Sequence, residues 1–357
     1  MSNQITTLSG SVPPYLAPSS QSVAPPVIAT VDSAPVEAKP VPPSQLQMVN
    51  QQLQILMQQS QSVHQQQQIM ARDVLQGKSL TERASRQLED TRAERQLSLH
   101  ALRSSRLGDV LLPANHPLVL ALQAYDAKRP IPSGAFDSDP DSNWGFTDSI
   151  ADGIDDIENG YLDIYGNATD RHIALYEEFS KILAELESMI DGSENGQSVN
   201  VSMAKLSDKL KALREQFFPG GVPGKNSVLF PIQKGSGEME GTSQENAEKW
   251  VKEMGLNPSC VRQVGNTGKY IVTIDIAPLD FIIKSLIVQD KQPVKMTSTD
   301  FQVWKAGFDS MDEKMKNTLQ TLTQKYSNAQ STFDNLVKLL SSTISSLLET
   351  NKSFLIS

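Results

Sequence analysis

The sequence predicts a mainly α-helical protein with a small α/β insertion. Its frame is a long antiparallel intramolecular coiled coil, with an N-terminal helical hairpin packed on it and a distal mixed α/β module between the two rod helices. Three observations carry this. From Asp300 to Ser357, apolar or aromatic residues recur at steps of three and four: Phe301, Trp304, Phe308, Met311, Met315, Leu319, Leu322, Tyr326, Ala329, Phe333, Leu336, Leu340, Ile344 and Leu347. No proline, and no glycine after Gly307, interrupts that seam. At 1.5 Å per residue the helix would extend roughly 80 Å and needs a partner along its apolar side. A second seam runs through Ile150, Ile154, Ile157, Tyr161, Ile164, Ala168, His172, Leu175, Phe179, Ile182, Leu186 and Ile190. Between the two seams the helical period lapses and glycine and proline accumulate.

Taken in order, residues 1–43 hold too many prolines among Ser, Val, Thr and Ala to bury a core, and are expected to be a disordered leader. Residues 44–107 form the hairpin: a Gln-rich helix from Gln45 to Leu75, a break at Gly77, and a second helix started by Ser79 or Thr81. Residues 108–146 are a connector with one short helix near His116–Ala127. The first rod helix is expected over 147–191. Gly153, Gly160 and Gly166 inside it each cost ~1 kcal/mol against alanine, so pairing must hold it together. Residues 192–299 read as the α/β module and 300–357 as the second rod helix.

Within the module, Ser198–Val201 suits a short strand and Met203–Phe218 a helix. After the Pro219–Gly224 turn cluster come a strand at Ser227–Ile232, a helix at Gln244–Met254, and a hairpin of strands Cys260–Val264 and Tyr270–Ile276 joined at Gly265–Gly268. Pro278 then opens a helix through Leu286.

Composition excludes several classes. The 357 residues carry 32 basic and 41 acidic side chains, net −9, which argues against nucleic acid as a partner. The acidity concentrates between Asp126 and Asp191, while Arg72–Arg106 is net positive. That division fits a basic arm lying on an acidic helix, though a charge run is more often just a solvated face. No run of 18 apolar residues marks a transmembrane helix, and the N-terminus lacks a secretory signal pattern. The single cysteine, Cys260, permits no internal disulfide and reads as a buried, inert thiol.

Motifs for chemistry are sparse, and no catalytic residue is expected. Gly77-Lys78-Ser79 resembles the end of a phosphate loop, but Arg72 stands where the first glycine belongs. Asp137, Asp139, Asp141 and Asp148 have partial calcium-loop spacing, with Ser142 in place of the required glycine and Pro140 stiffening the turn. His64, His100, His116 and His172 share no metal spacing. His172 lies on the seam and reads as a satisfied core histidine. No metal or cofactor site is expected.

The stretches FQVWKAGF (301–308) and MKNTLQTLTQKYSNAQSTFDNLVKLLSSTISSLLETNKSFL (315–355) resemble the final helix of type III secretion needle-tip proteins, the IpaD/SipD/BipD invasin family. NSVLFPIQKGSG (226–237), AEKWVKEMGL (247–256) with Cys260 soon after, YIVTIDIAPL (270–279) and GYLDIYGN (160–167) add to the likeness, which spans Thr147 to Leu355. The resemblance implies a virulence protein exported through the needle by an uncleaved N-terminal signal. It would cap the needle tip as a small ring, control secretion and recruit hydrophobic translocators for host-cell invasion. It further implies a hairpin that shields the rod until assembly, the needle subunit and translocators as partners, a cytoplasmic stay before export, and bile salts as a regulatory ligand.

The needle would dock on the outer face of the C-terminal helix. Opposite Phe333, Leu336 and Leu340 lie Asp334, Asn335, Lys338, Ser342, Ser345 and Glu349, where small serines let another helix approach closely. The coiled-coil core is expected at Ile154, Ile157, Phe179, Trp304, Phe308, Leu322, Tyr326, Phe333, Leu336 and Leu340. The seam pattern alone also suits a cytoplasmic coiled-coil adaptor or chaperone of the secretion apparatus. A pore-forming translocator would want membrane-competent segments that the sequence lacks.

Overall fold

Helix α1 (Pro43–Leu75) and helix α2 (Glu82–Ser104) form the N-terminal hairpin. Gly77, at φ 73°, turns the chain between them, and its N–H closes on the Val74 carbonyl at 2.9 Å. Thr81 Oγ1 accepts the Ala84 N–H at 3.2 Å and starts α2. The computed structural model describes residues 43–104, 111–112, 115–131, 144–145, 154, 158–192, 197–233, 235, 237–286 and 293–356. Asp137, Asp139, Asp141 and Asp148 of the calcium-like loop, residues 1–42 of the leader and Ile157 lie outside them.

The connector contributes β1 (Leu111–Leu112), paired antiparallel with β2 (Trp144–Gly145), and α3 (Pro117–Asp126), capped by His116 Nδ1 accepting from the Leu118 N–H. After a π-helical turn at Glu158–Leu162, helix α4 (Asp163–Leu186) is the first rod helix. The expected helix to Ile190 needs correction. It tightens into a 3₁₀ turn at Glu187–Met189, and Ile190 begins strand β3 (Ile190–Gly192). A sheet takes over there. β3 pairs with β4 (Ser198–Val201) through Ile190↔Val201, and the Ser202 N–H bonds the Met189 carbonyl. On the other side β4 pairs with β8 (Val294–Thr297), a strand the sequence reading missed.

Helix α5 (Met203–Phe217) follows, then a second antiparallel sheet in the order β5 (Val228–Phe230), β7 (Tyr270–Thr273), β6 (Val261–Gln263). Helix α6 (Gln244–Met254) occupies the span read for it, with Ser243 as N-cap and left-handed Gly255 closing it. Helix α7 (Ala277–Ser285) leads toward α8 (Ser298–Ile356), a single helix of 59 residues. Strand β7 stops at Thr273, earlier than expected, because Asp275 turns inward to accept the Ala277 N–H at the head of α7.

α4 and α8 run antiparallel. Phe179 stacks on Phe308 at 5.8 Å, the Tyr176 hydroxyl donates to Asp312 at 2.8 Å, and Gly166 faces Tyr326. Past Tyr326, toward its C-terminus, the seam of α8 is covered on one side by α1, which also runs antiparallel to α8. α2 in turn runs antiparallel to both α1 and α4. The middle of the rod is therefore a four-helix arrangement of alternating direction. The α/β module lies between the rod helices in sequence and also packs down their flank. Asn167 on α4 donates to the Val228 and Leu229 carbonyls, and Lys325 on α8 lies 3.8 Å from Glu253.

Of the expected coiled-coil core, Ile154, Phe179, Phe308, Leu322, Tyr326, Phe333, Leu336 and Leu340 are buried, and Trp304 is partly buried against Phe301 and Phe308.

Candidate functional site

The C-terminal half of α8 has two unlike sides. Phe333, Leu336, Val337, Leu340 and Ile344 point into the bundle. Asn335, Lys338, Ser342 and Glu349 are exposed along the opposite stripe, and Ser345 is half-buried at its edge. Lys338 and Glu349 form no ion pair among the described residues. Many hydroxyls on this helix fold back onto their own backbone: Ser331, Thr332, Thr343, Ser345 and Thr350 each donate to the carbonyl four residues earlier. Such local bonds satisfy the hydroxyl and leave a low-relief surface on which a second helix can lie closely.

Asp334 belongs to a different neighbourhood. Its two carboxylate oxygens accept from Gln61 Nε2 and Gln330 Nε2, each at 2.8 Å, so it faces the hairpin and stands apart from the open stripe. The structure thus brings Asn335, Lys338, Ser342, Ser345 and Glu349 together and assigns Asp334 to the α1 contact.

That contact is a ladder of amides. Gln54 bonds Ser341 at 2.9 Å, Gln61 bonds Asp334 at 2.8 Å, and Gln68 bonds Ser327 at 2.7 Å. Both sets step by seven in opposite directions, as an antiparallel pair requires. Deeper in, Ser60 donates to Gln330 at 3.1 Å, Ser341 bonds Asn50, and His64 meets the Tyr326 ring edge-on at 4.6 Å. From the sequence α1 reads only as Gln-rich, with no role for its glutamines. The signal for one is the recurrence of Gln54, Gln61 and Gln68 at heptad spacing.

Charge closes the other side of the hairpin. Gln67 donates to the Gly166 carbonyl at 3.1 Å and to Asp170, and Arg92 pairs with Asp170. Arg95, 3 % exposed, pairs with Asp163, and the Leu80 N–H donates to Glu177 at 3.1 Å. The basic arm does lie on the acidic helix. Burial raises the Asp170 carboxyl above its ordinary range, with Arg92 and Gln67 opposing it. Burial also lowers His64, with Asp334 pulling the other way. The packing at Gly166 still has room for a methyl group, since a Cβ there would meet Gln67 Oε1 and the Tyr326 hydroxyl at 3.6 Å, an ordinary contact.

Two cavities mark where the module meets the rod. A groove of about 380 Å³ runs between Gly255 and α8, lined by Met254, Ser310, Glu313, Lys314, Asn317 and Thr321. A small cavity of about 10 Å³ lies among His172, Tyr176, Asp275, Met315 and Thr318. His172 is a core residue as expected but only half satisfied. Its Nδ1 lies 2.9 Å from the Ala168 carbonyl, and its Nε2 has no hydrogen-bond partner. Cys260 is buried, and burial pushes its thiol up to about 12. Among the described residues no group of three or more His, Cys, Asp or Glu is placed to hold a metal ion, and no helix is long and apolar enough to cross a membrane.

A long helical rod carrying an α/β insertion, with a helical hairpin closed over one side, is the architecture of a structural tip protein. The chain belongs to the type III secretion systems tip complex components, whose family model matches residues 17–355. It is 38% identical over 209 residues to the cell invasion protein SipD of Salmonella typhi, a match covering 58% of this chain and 60% of that protein. It is 36% identical over 270 residues to the invasin IpaD of Shigella flexneri, covering 73% and 74%. The translocator protein BipD of Burkholderia thailandensis is 28% identical over 211 residues, covering 58% and 56%. A solved structure, the Pathogenicity island 1 effector protein of Chromobacterium violaceum, superposes with a TM-score of 0.68 at 28% identity, over 85% of this chain and 99% of that one. Membership of this family implies secretion and a place at the surface needle tip.

Proposed function

We propose that this chain caps the needle as a small ring, holds secretion in check and recruits the hydrophobic translocators for host-cell invasion. The observation that carries the reading is the open stripe Asn335–Lys338–Ser342–Glu349 on α8, with Ser345 at its edge, back to back with a buried seam. A helical needle subunit docks along that stripe, where the small Ser342 and the locally bonded Ser345 permit close packing. The hairpin acts as a self-chaperone. Its contact with α8 sets a ladder of amide and hydroxyl bonds beside apolar side chains buried on both helices. Water replaces the polar rungs at small net cost when the hairpin lifts, while the apolar seam needs a new cover. The name of the relative BipD, a translocator protein, supports a role next to the translocation step.

The site we propose for a regulatory bile salt is the groove beside Gly255, where Lys314 on the wall favours a carboxylate and the neighbouring Glu313 opposes one. The competing reading, a cytoplasmic adaptor or chaperone of the apparatus, differs in export. Fusion of residues 1–43 to a reporter, together with immunogold labelling of sheared needles, separates the two. Export and labelling at the needle end support the tip cap; a reporter retained inside the cell and unlabelled needles overturn it.

A further inference from the structure

His172 stands on α4 where the rod meets the head of α7. The residue is 5% exposed, and its two ring nitrogens have different fates. Nδ1 lies 2.9 Å from the Ala168 carbonyl, one turn back on the same helix. A carbonyl only accepts, so Nδ1 carries the ring proton. Burial holds the pKa of His172 below its ordinary value, so near neutral pH the ring has no second proton. Nε2, at the outer end of the ring, is therefore a bare lone pair, and no donor among the described residues reaches it.

The cavity of about 10 Å³ beside it is lined by His172 and Tyr176 of α4, Met315 and Thr318 of α8, and Asp275 and Pro278 at the head of α7. Its other polar groups are acceptors too. Asp275 Oδ1 takes the Ala277 N–H at 3.0 Å, while Oδ2 lies 4.0 Å from Lys314 Nζ, beyond hydrogen-bond range. The Thr318 hydroxyl donates to the Lys314 carbonyl at 3.0 Å and the Tyr176 hydroxyl to Asp312 at 2.8 Å, so both hydrogens are spent. What this wall lacks is a donor, and it lacks one on two sides at once.

We propose that this cavity is a binding site for one ordered water, which donates one hydrogen to His172 Nε2 and the other to Asp275 Oδ2. The volume admits a single molecule of that size. Water brings two donor hydrogens in the smallest neutral package, matching two acceptors that face one space. A metal cation suits the site poorly, because the Lys314 ammonium already stands against the same carboxylate. Left dry, both acceptors would bear a desolvation cost that nothing offsets. The bridge fastens the module to the rod. Asp275 receives the first N–H of α7, and α7 follows the central strand of the module's second sheet, so a water held there ties that corner to α4. No direct hydrogen bond joins His172 to Asp275, and the water takes its place.

Two measurements on the unaltered full-length chain test this. A high-resolution crystal structure should show one density peak at hydrogen-bond distance from both His172 Nε2 and an Asp275 carboxylate oxygen. Long-range nitrogen–proton NMR spectra of the His172 ring should place its proton on Nδ1 alone near neutral pH. His172→Phe, which keeps the bulk of the ring and removes both nitrogens, is the comparison. Relaxation dispersion of water oxygen should lose the contribution of one slowly exchanging molecule in that variant, while the helical circular dichroism signal is kept. A cavity without density, a His172 ring turned to bond Asp275 directly, or a ring proton on Nε2 overturns the proposal. So does a peak with the contacts of a metal ion, or a dispersion that a folded His172→Phe chain leaves unchanged.

Discussion

Gln61 on the hairpin donates its amide N–H to Asp334 on the final helix at 2.8 Å, joining residues 273 positions apart in the chain. The pair is solvent-exposed, so its loss alone costs little, about 0.5 kcal/mol. Ser60 and Gln330, one step deeper, are buried at 0% and 4%. Ser60→Ala strands the Gln330 carbonyl oxygen and should cost about 1–2 kcal/mol. Urea unfolding of the two variants, Gln61→Ala and Ser60→Ala, checks the order. Hydrogen exchange should place the larger loss of protection on α1.

Among the described residues Arg95 and Asp163 form the most buried ion pair between the hairpin and the rod. Arg95→Ala leaves the Asp163 carboxylate in a desolvated site without its cation and should destabilise hairpin docking by about 3 kcal/mol. Limited proteolysis should then cut α2 while the rod survives. If α2 stays as resistant as in the parent chain, the hairpin is not held by this pair.

Gly166 separates two effects. Adding a Cβ brings ordinary contact at 3.6 Å with Gln67 and Tyr326, while alanine favours the helix by about 1 kcal/mol. Gly166→Ala should therefore be neutral or slightly stabilising. Gly166→Leu has no room and should lower the thermal midpoint by several degrees, at about 2–3 kcal/mol of overpacking.

His172 supplies a pH dependence of definite sign. Burial holds its pKa below 6.5, with the Ala168 carbonyl and Asp275 opposing. Asp275 and Tyr176 face it, with Lys314 4.0 Å from Asp275 and Asp312 holding Tyr176. The unfolded chain gains a proton as pH falls through about 6.5, while the folded chain resists until lower pH. Stability is complete above about 6.5 and lost as pH falls through the depressed value. His64 and His116, both lowered by burial, act in the same direction. The urea midpoint should drop between about pH 7 and pH 5, and His172→Gln should flatten that slope. Asp170, whose carboxyl is raised by burial, works in the opposite direction, so the assignment is contradicted if His172→Gln leaves the slope unchanged.

The rod, the hairpin, the short helix at Pro117–Asp126 and most of the module were legible in the sequence, because periodicity, caps and turn residues agreed locally. Periodicity says that a seam is covered, though not by which helix. Phe333 and Leu340 look the same whether α1 or α4 lies over them, so the role of α1 on the C-terminal half emerged only from the structure. Ile190 was read as the last seam residue because its spacing suits a helix. Only Val201, eleven residues on, converts it to a strand. In the candidate site, Asn335, Lys338, Ser342 and Glu349 were readable as the side opposite the seam. Asp334 was misgrouped because its partner Gln61 is remote in sequence. The half-satisfied ring of His172 had no local signal, since the cavity it faces is built from three separate segments.

The central claim is that a needle subunit lies along the outer stripe of the final helix. The measurement that tests it most directly is an NMR titration of this chain with purified needle subunit, with the parent beside Lys338→Glu and Ser342→Arg. Shifts and broadening confined to residues 335–349, and lost in both variants, are the predicted result. Perturbation elsewhere on the chain, or binding that neither substitution weakens, would contradict it.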